Sequence, residues 1–317
     1  MTCYYPRTAY PIEGGITFEK PSGHSGNYIK IPCKRCVGCR LDHRTDWATR
    51  MMHEASLFDS NQFLTLTYDP ETLPDHGDLT PRDVSLFWKR LRKHFSGHKI
   101  RYVAAGEYGE ATSRPHYHAI AFGLDLPDLV GHGRNNRGEI LYQSELLNSI
   151  WGLGNCIVGD VTYQSCGYVA GYMLKDIKSD YANDGTYQHF NQNTGELTER
   201  RKPFARYSNR PGIGYNWLKK YYKDVFPRDF VRTREGPRPV PEYYFRHLAV
   251  LDPQLFQQVK EKREAAIWEP YNRWNSTPQR LAVRETCKLA KVSLAKRGST
   301  QTKENRIFVT PKKEALS

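Results

Sequence analysis

The chain has 317 residues, which is enough for one large domain or two modest ones with a hydrophobic core. Its 47 Lys and Arg residues against 34 Asp and Glu residues give a formal net charge of +13, which favours an anionic partner such as nucleic acid. No stretch is long and apolar enough to cross a membrane, and residues 1–30 lack the apolar core of a secretory signal. The sequence therefore predicts an intracellular protein without a membrane partner. Its 21 Tyr, 13 Phe and 6 Trp residues, set among basic residues, suit stacking on unpaired bases.

Three cysteines near the N-terminus, Cys33, Cys36 and Cys39, form a Cys-x2-Cys-x2-Cys cluster, and Cys3 lies upstream of them. An odd total of seven cysteines in a reducing compartment does not favour a disulfide framework. Thiolates at this spacing are typical of a metal site, so we predict a structural Zn²⁺ site with Cys3 as the fourth ligand. An iron–sulfur cluster is the alternative, although the Cys-x3-Cys-Pro run that follows in ferredoxins is missing.

The remaining sequence alternates between helical and strand patterns. The predicted elements are, in order, a helix at Leu41–Phe58, a strand at Phe63–Tyr68, a helix at Thr80–Phe95, strands at Ile100–Ala105 and His116–Phe122, a helix at Ser144–Trp151, a strand at Asn155–Tyr163 and a helix at Ser165–Lys175. From Phe63 onward the order is β-α-β-β-α-β, which is the split βαβ pattern of ferredoxin-like sheets. We therefore predict an α+β fold with an antiparallel sheet and helices on one face.

Four segments follow from these patterns. They are an N-terminal cysteine segment with its helix (1–62), the α+β core (63–180), an accessory segment with the turn Arg210-Pro-Gly-Ile-Gly214 (181–247), and a basic helical tail (248–317). Within them, Gly131–Gly138 is predicted to be a loop, because Gly, Asn and Arg dominate it. Residues 181–202 are polar and poor in aliphatic side chains, so they are predicted to be a mobile insertion.

A candidate metal site lies in the strand that contains His116 and His118. Residues two apart on a strand project from the same face, so the two imidazoles point the same way. Glu107, at the end of the preceding strand, is the best third ligand, and Glu110 is the alternative. Two imidazoles and one carboxylate with open positions suit Mg²⁺ or Mn²⁺. The same ligands can hold Fe(II) in an oxygenase, and two ordinary strand histidines are the plainest alternative.

The helix after the last strand carries Tyr168, Tyr172 and Lys175 at positions i, i+4 and i+7, which places all three on one helical face. A phenol is a good nucleophile toward a phosphodiester when a neighbouring group lowers its pKa or a metal polarises the phosphate. Lys175, one turn from Tyr172, can meet the first need or neutralise the phosphate charge. Without the histidine pair, this face would be interpreted as packing against the sheet.

Taken in order, these motifs resemble those of the HUH-type rolling-circle replication initiators. The three that carry the resemblance are the hydrophobic strand Phe63–Tyr68, His116-Tyr117-His118, and Tyr168-x3-Tyr172-x2-Lys175. The chain is most similar to the gokushovirus branch of the microviruses. That similarity rests on Met1-Thr2-Cys3-Tyr4-Tyr5-Pro6, Cys33–Cys39, Gly106-Glu-Tyr-Gly109, Arg114-Pro-His-Tyr-His118 and Arg210-Pro-Gly-Ile-Gly214. The resemblance covers residues 1–245 and is looser in the tail.

The resemblance implies an endonuclease and ligase in the cytoplasm of a bacterial host. One tyrosine attacks the scissile phosphate at the origin of single-stranded or supercoiled circular phage DNA and forms a 5′-phosphotyrosine bond. Host polymerase extends the free 3′-OH, and the second tyrosine then cleaves the regenerated origin so that a single-stranded circle is released. The sequence has no Gly-x4-Gly-Lys-Ser/Thr loop, so a host helicase is expected to unwind the duplex.

Candidate DNA contacts come from Lys89, Arg92, Arg114 and Arg210, together with the basic run Asp252–Arg297. Lysine and arginine contacts with phosphates weaken steeply as salt rises. A second hypothesis remains open at this stage, namely a non-catalytic, zinc-containing protein that binds single-stranded nucleic acid. The histidine pair and the tyrosine helix favour the enzyme, because a pure binding protein does not need them.

Overall fold

The computed structural model describes residues 2–23, 28–109, 112–135, 137–175, 187–190, 195, 197–233 and 236–304. The chain divides into two compact units. The terminal unit comprises Met1–Asp42 and Lys262–Ser317, and the central unit comprises His43–Glu261. None of the described helices is both long and apolar enough to cross a membrane.

The secondary structure follows the sequence closely in the centre of the chain. The strands are β1 (Arg7–Ile12), β2 (Gly15–Thr17), β3 (Ile29–Ile31), β4 (Asn61–Thr67), β5 (Arg101–Tyr108), β6 (Pro115–Phe122), β7 (Val130–Arg134), β8 (Ile140–Gln143), β9 (Cys156–Asp160), β10 (Gln188–Phe190), β11 (Leu197–Glu199), β12 (Phe204–Tyr207), β13 (Phe230–Thr233) and β14 (Gly236–Pro239). The helices are α1 (Val37–Ala55), α2 (Pro81–His94), α3 (Glu145–Trp151), α4 (Tyr163–Lys175), α5 (Tyr215–Val225), α6 (Glu242–Leu251), α7 (Pro253–Trp268), α8 (Pro270–Asn275) and α9 (Pro278–Glu304).

The central unit is built on a seven-stranded sheet with the order β12-β5-β6-β4-β9-β8-β7. Every neighbouring pair in it is antiparallel. Strand β6 lies between β4 and β5, so the two strands that α2 connects do not pair with each other. This is the split βαβ arrangement that the order of the elements implied. The prediction of an α+β fold with a large antiparallel sheet is confirmed.

Helices cover both faces of this sheet. Phe87 of α2 and Trp151 of α3 are fully buried against one face, and Met51 of α1 and Val169 of α4 are fully buried against the other. The prediction placed helices on one face. It holds for α2 and α3, whereas α1 and α4 form a second layer that the prediction left out. The second layer is needed because residues 119–122 of β6 are all fully buried, and a strand of this kind requires an apolar layer on each side.

Two parts of the sheet lie where the sequence did not predict strands. The predicted loop Gly131–Gly138 is largely a hairpin, because β7 and β8 pair across it with a bulge between Gly131 and Gly133. All five residues of β7 are exposed, so no apolar alternation marked this strand in the sequence. Strand β12 pairs with β5 and extends the sheet beyond the predicted core. Within the predicted insertion 181–202, residues 181–186, 191–194 and 196 lie outside the described residues, while β10 and β11 pair with each other.

The turn Arg210-Pro-Gly-Ile-Gly214 is fixed to the central unit by a buried ion pair. Glu54 of α1 and Arg101 of β5 lie 2.7 Å apart, with side chains 0% and 5% exposed. The second oxygen of Glu54 accepts a hydrogen bond from Gly214 N at 2.6 Å, and Arg101 donates to the carbonyl oxygen of Pro211 at 2.7 Å. Gly214 has φ +80°, and a Cβ there would lie 2.4 Å from the hydroxyl of Tyr244, so only glycine fits.

The terminal unit contains a three-stranded antiparallel sheet with the order β2-β1-β3. Its apolar cluster consists of Cys3, Tyr4, Cys36, Cys39 and Leu281. The hydroxyl of Tyr5 donates a hydrogen bond to Glu285 of α9. The predicted basic tail is helical as far as Glu304, and residues 305–317 lie outside the described residues.

Removing the negative charge of Glu54 should destabilise the central unit strongly. We expect Glu54→Gln to lower the free energy of unfolding by about 3–5 kcal/mol, because the Arg101 guanidinium would stay buried without its counter-charge. Urea denaturation followed by tryptophan fluorescence measures this loss. Glu71→Gln removes an exposed carboxylate and should change stability by less than about 0.5 kcal/mol. Equal effects of the two substitutions would show that the buried pair does not fix the turn.

Candidate metal and nucleophile site

Strands β5 and β6 bring one carboxylate and two imidazoles together. In the register of this pair, Glu107 lies directly opposite His116, and Ala105 lies opposite His118. Because alternate residues of a strand share a face, Glu107, His116 and His118 all project from the same side of the sheet. This is the side that α1 and α4 cover, since Ile120 and Phe122 of β6 pack there.

The three side chains converge on a single point. One oxygen of Glu107 lies 3.2 Å from Nε2 of His116 and 3.2 Å from Nε2 of His118. One ligand atom from each residue lies within 4.8 Å of the others, which is close enough to hold a metal ion. Glu107 is buried, with 4% of its surface exposed. The arrangement gathers a carboxylate and two imidazole nitrogens at one site of restricted solvent access.

The outer nitrogens of both histidines have partners that orient the rings. Nδ1 of His116 donates to the carbonyl oxygen of Arg114 at 3.2 Å, and Nδ1 of His118 lies 3.1 Å from Oγ1 of Thr65 on β4. Such contacts leave Nε2 of each ring directed toward the carboxylate, and they are typical of metal-binding histidines. The sequence analysis did not identify Thr65. Its alternation within β4 showed its face, but only the pairing of β4 with β6 places it opposite His118.

The carboxyl group of Glu107 is ionised in this environment. Burial by itself raises its pKa, but hydrogen bonds with His116, His118 and Tyr172 outweigh burial and lower the pKa to about 2. The alternative ligand, Glu110, lies outside the described residues. Among the described residues, Glu107 is therefore the acidic member of the group.

Helix α4 delivers two tyrosines to the same place. Cys166, Val169 and Ala170 are fully buried against the sheet, and this packing presents Tyr168 and Tyr172 to the histidines. The hydroxyl of Tyr168 lies 3.4 Å from Nε2 of His118. The ring of Tyr172 is stacked near that of His118, with centroids 5.5 Å apart and planes 20° apart. The two tyrosine rings lie 4.7 Å apart, so both can approach one substrate group.

The two phenols differ in their surroundings. Tyr168 is 38% exposed, whereas Tyr172 is half-buried. Burial raises the pKa of Tyr172 well above its ordinary value, and the Tyr168 hydroxyl and the Glu107 charge add to the effect. In the absence of a cation, the Tyr172 phenol therefore keeps its proton at neutral pH. Lys175 is the last residue of α4, and its side chain lies outside the described residues.

Two further contacts at α4 were not predicted. Nε of Arg44 on α1 donates to the carbonyl oxygen of Gly167 at 2.7 Å, next to Tyr168 in the chain. Phe63 of β4 lies 5.8 Å from the ring of His118 and 6.3 Å from that of Tyr168. Both contacts position the nucleophile helix against the sheet. Neither left a signal in the local sequence, because each depends on pairing between distant segments.

The cysteine cluster forms a second group of ligands, within the terminal unit. The Sγ atoms of Cys3, Cys33, Cys36 and Cys39 all lie within 4.8 Å of one another, and those of Cys33 and Cys39 are 3.9 Å apart. Sulfur atoms around a tetrahedral Zn²⁺ lie about 3.8 Å apart, given Zn–S bonds of about 2.3 Å. All four cysteines are free thiols. Four converging thiols can therefore hold a metal ion.

Backbone groups around this cluster favour thiolates. The Cys33 N–H donates to Sγ of Cys3 at 3.1 Å, and the Cys36 N–H donates to Sγ of Cys33 at 3.3 Å. Burial raises the pKa of Cys33, but hydrogen bonds from the backbone of Cys36 and Arg35 outweigh burial and bring the pKa to about 7. Partial ionisation of this kind suits metal binding, because the thiolate is the form that binds metal.

The residues predicted to contact DNA do not gather at one place. Lys89 and Arg92 lie on α2, which covers the face of the sheet opposite to the histidines. Arg92 donates to the carbonyl oxygen of Ile100, and Arg114 donates to that of Tyr68 at 2.8 Å. Arg210 is exposed at the turn that Glu54 secures. Of the four, Arg114 is the one next to β6 and its histidines.

Known proteins share both the core and much of the remaining chain. Residues 61–177 match the family model of the replication-associated protein ORF2. The replication-associated protein VP4 of Bdellovibrio phage phiMH2K is 34% identical over 255 residues, which cover 77% of this chain and 76% of VP4. The replication-associated protein ORF2 of Spiroplasma virus 4 is 31% identical over 291 residues, which cover 83% of this chain and 86% of ORF2. The replication-associated protein ORF4 of Chlamydia phage 1 is 32% identical over 154 residues, 46% of this chain and 38% of ORF4. No solved structure matches the chain.

The ionised state of Glu107 predicts a dependence of stability on pH. In the folded protein this carboxyl stays charged down to about pH 2, whereas in the unfolded chain it gains a proton near pH 4.5. Its contribution is therefore fully present above pH 4.5 and is lost as the pH falls toward 2. Without added metal, we expect Glu107→Gln to lower the free energy of unfolding by about 3 kcal/mol at pH 7 and by less than half as much at pH 3.

Urea denaturation at the two pH values measures the difference. Asp59→Asn, at an acidic residue of the same unit that lies away from the histidines, is the matched control and should have a small effect at both. A loss for Glu107→Gln that is the same at pH 7 and pH 3 would mean that its charge does not stabilise the site.

Proposed function

Since this chain belongs to the family of phage replication-associated proteins, we propose that it initiates rolling-circle replication of a single-stranded DNA phage. The observation that supports this best is the meeting of two tyrosines with Glu107, His116 and His118 on one face of the sheet. A DNA-binding protein without enzymatic activity has no use for that group. The proposed activity is that of an HUH-type, metal-dependent DNA endonuclease and ligase.

The proposed reaction is a transesterification. A tyrosine oxygen attacks the scissile phosphorus at the origin, the bond from phosphorus to the 3′-oxygen breaks, and a 5′-phosphotyrosine bond forms. The phenol gives up its proton and the leaving oxygen gains one as a 3′-hydroxyl, so one phosphodiester replaces another. Because the ester energy is retained, a later 3′-hydroxyl can attack the phosphotyrosine and close the strand without ATP.

Two tyrosines one helical turn apart allow this cycle to repeat. Tyr168 and Tyr172 have ring centroids 4.7 Å apart and share His118 as a neighbour, so either can serve one bound phosphate. While one tyrosine holds the 5′ end, the other is free to cleave the regenerated origin. Tyr168 is the more exposed of the two, and Tyr172 is the one that hydrogen-bonds with Glu107. Lys175, one turn further along α4, is the proposed neutraliser of phosphate charge.

The donor set also fits a divalent cation. One carboxylate and two imidazoles whose outer nitrogens are already bonded leave positions for substrate oxygens, which suits Mg²⁺ or Mn²⁺. When bound, this cation supplies polarisation of the scissile phosphate and lowers the pKa of a nearby phenol. An Fe(II) oxygenase would use the same three ligands. The two tyrosines beside them and the +13 charge favour the nuclease.

The partners follow from this role. The substrate is single-stranded or supercoiled circular phage DNA at its origin, and host polymerase and host helicase extend and unwind the duplex in the bacterial cytoplasm. At the cysteine cluster we propose a structural Zn²⁺, because four thiols at tetrahedral spacing with N–H···S hydrogen bonds form a closed site. An iron–sulfur cluster is the alternative occupant.

The nucleophiles are tested with single-stranded oligonucleotides that tile the phage genome, in the presence of Mn²⁺. Wild-type protein should form an SDS-stable protein–DNA adduct, and the double variant Tyr168→Phe/Tyr172→Phe should form at least about a hundredfold less, because phenylalanine has no oxygen to attack phosphorus. Each single variant should keep part of the activity and thereby rank the two tyrosines.

Tyr163→Phe is the matched control on the same helix. Its hydroxyl is buried without a hydrogen-bond partner, so its removal should leave adduct formation unchanged. An adduct that persists in the double variant would place the nucleophile elsewhere. Absence of any adduct from folded, metal-loaded wild type would favour the non-catalytic, zinc-containing protein that binds single-stranded nucleic acid.

The zinc proposal is tested with Cys36→Ser. Wild-type protein should contain about one zinc per chain, and the variant should lose most of it together with several kcal/mol of stability, because structural zinc contributes folding energy. Elemental analysis and thermal denaturation measure both effects. Cys287→Ser, at an exposed cysteine of α9, is the control and should keep its zinc. Iron in place of zinc, or zinc retained by Cys36→Ser, would contradict the proposal.

A further inference from the structure

The positive charge of this protein is concentrated in one of its two units. The terminal unit has 98 residues with 19 Lys and Arg against 8 Asp and Glu, a net charge of +11. The central unit has 219 residues with 28 Lys and Arg against 26 Asp and Glu, a net charge of +2. The unit with the histidines and tyrosines is therefore nearly neutral. Most of the long-range attraction for a phosphate backbone must come from the terminal unit.

The same unit exposes a group of large aromatic side chains. Trp268, Tyr271 and Trp274 lie within seven residues of sequence, at the end of α7 and on α8, and they are 68%, 66% and 51% exposed. The rings of Tyr271 and Trp274 have centroids 5.8 Å apart. Burying such rings stabilises a protein, so a cluster this exposed marks an interaction surface.

Arginines accompany these rings. The guanidinium of Arg280 lies 4.4 Å from the ring centroid of Trp274, and that of Arg273 lies 5.9 Å from that of Trp268. Cation–π contact of this kind holds the side chains in place without covering the outer ring faces. An anionic ligand that reaches the rings would therefore meet a positive charge beside each tryptophan.

The backbone beneath the rings is braced. Asn272 donates to the carbonyl oxygen of Ala266 at 2.7 Å, which ties α8 to the end of α7. Arg284 of α9 donates to the carbonyl oxygen of Asn275 at 3.0 Å, and the hydroxyl of Thr277 donates to that of Trp274 at 2.9 Å. The corner is thus formed before a ligand arrives, which reduces the entropy lost on binding.

We propose that this corner, formed by Trp268, Tyr271, Arg273, Trp274 and Arg280, is a binding platform for single-stranded DNA. Unpaired bases stack on the exposed rings, and the arginines contact the adjacent phosphates. A duplex would offer phosphates but keep its bases stacked internally, so it would use only the arginines. The proposal deepens the proposed function, on which its biological role rests, by assigning retention of the displaced strand to the terminal unit.

The test measures binding of the full-length protein to fluorescein-labelled oligothymidine of 20 nucleotides. The buffer contains neither Mg²⁺ nor a chelator, so no nicking is needed and the cysteine cluster keeps its metal. We expect Trp268→Ala/Tyr271→Ala/Trp274→Ala to bind at least about a hundredfold more weakly than wild type, since each stacked base contributes substantially. Trp274→Phe alone should keep most of the affinity. Arg273→Gln/Arg280→Gln should lower the salt slope by about 1.4.

A matched control removes exposed apolar side chains that are not aromatic. Ile267→Ala/Val283→Ala/Leu289→Ala changes three such residues of the same unit, 61%, 50% and 50% exposed, and should bind like wild type. Circular dichroism confirms that every variant is folded. Weakening by this control as large as that of the aromatic variant, or equal weakening for the thymidine strand and for its duplex with oligoadenosine, would overturn the proposal.

The outcome is separable from that of the nuclease proposal. If wild-type protein forms no covalent adduct but the aromatic variant loses oligothymidine binding, the platform stands and the nuclease fails. If the adduct forms and the aromatic variant binds oligothymidine as well as wild type does, the nuclease stands and the platform fails.

Discussion

The structure depends on a buried carboxylate that two imidazoles share. Glu107 has both histidine Nε2 atoms at 3.2 Å, and it is ionised although only 4% of its surface is exposed. Removing a charge from water costs several kcal/mol, and that cost is met only when its partners are held in place. Here the register of β5 and β6 sets the positions of all three groups, and Thr65 and the Arg114 carbonyl orient the rings. The sheet therefore acts as a rigid frame for a site that tolerates little displacement.

Both helical layers serve this frame, in different ways. Helices α2 and α3 close one face with an apolar core. Helix α4 packs on the other face through Cys166, Val169 and Ala170, and the two tyrosines beside them are what this helix brings to the carboxylate. Because Arg44 of α1 bonds to Gly167 of α4, the second layer also fixes the height of Tyr168 above the histidines. The layer that the sequence left out is thus the one on which the proposed chemistry depends.

Chemistry and charge are divided between the two units. The central unit holds the histidines and tyrosines at a net charge of +2, and the terminal unit holds the cysteine cluster at +11. A nearly neutral active unit does not retain DNA through nonspecific charge, so cleavage there can depend on fit at the scissile phosphate. Retention of DNA then falls to the basic unit, where sequence-independent contacts with phosphates and bases suffice. This division is consistent with an enzyme that must stay with one strand through a complete cycle.

The sequence by itself determined whatever depends on short spacing. Alternation placed His116 and His118 on one face, helical periodicity placed Tyr168 beside Tyr172, the cysteine spacing indicated a metal-binding cluster, and the order of elements indicated the split sheet, which the structure confirms. Glu107 was reachable because a short turn connects its strand to that of the histidines. Only the tertiary structure decided the positions of Thr65 and Arg44, the pairing of β12, the hairpin β7–β8, the second helical layer and the burial of Glu54 with Arg101. Each of these depends on backbone pairing or burial that leaves no periodic signal in the local sequence, and most of them join segments far apart in the chain.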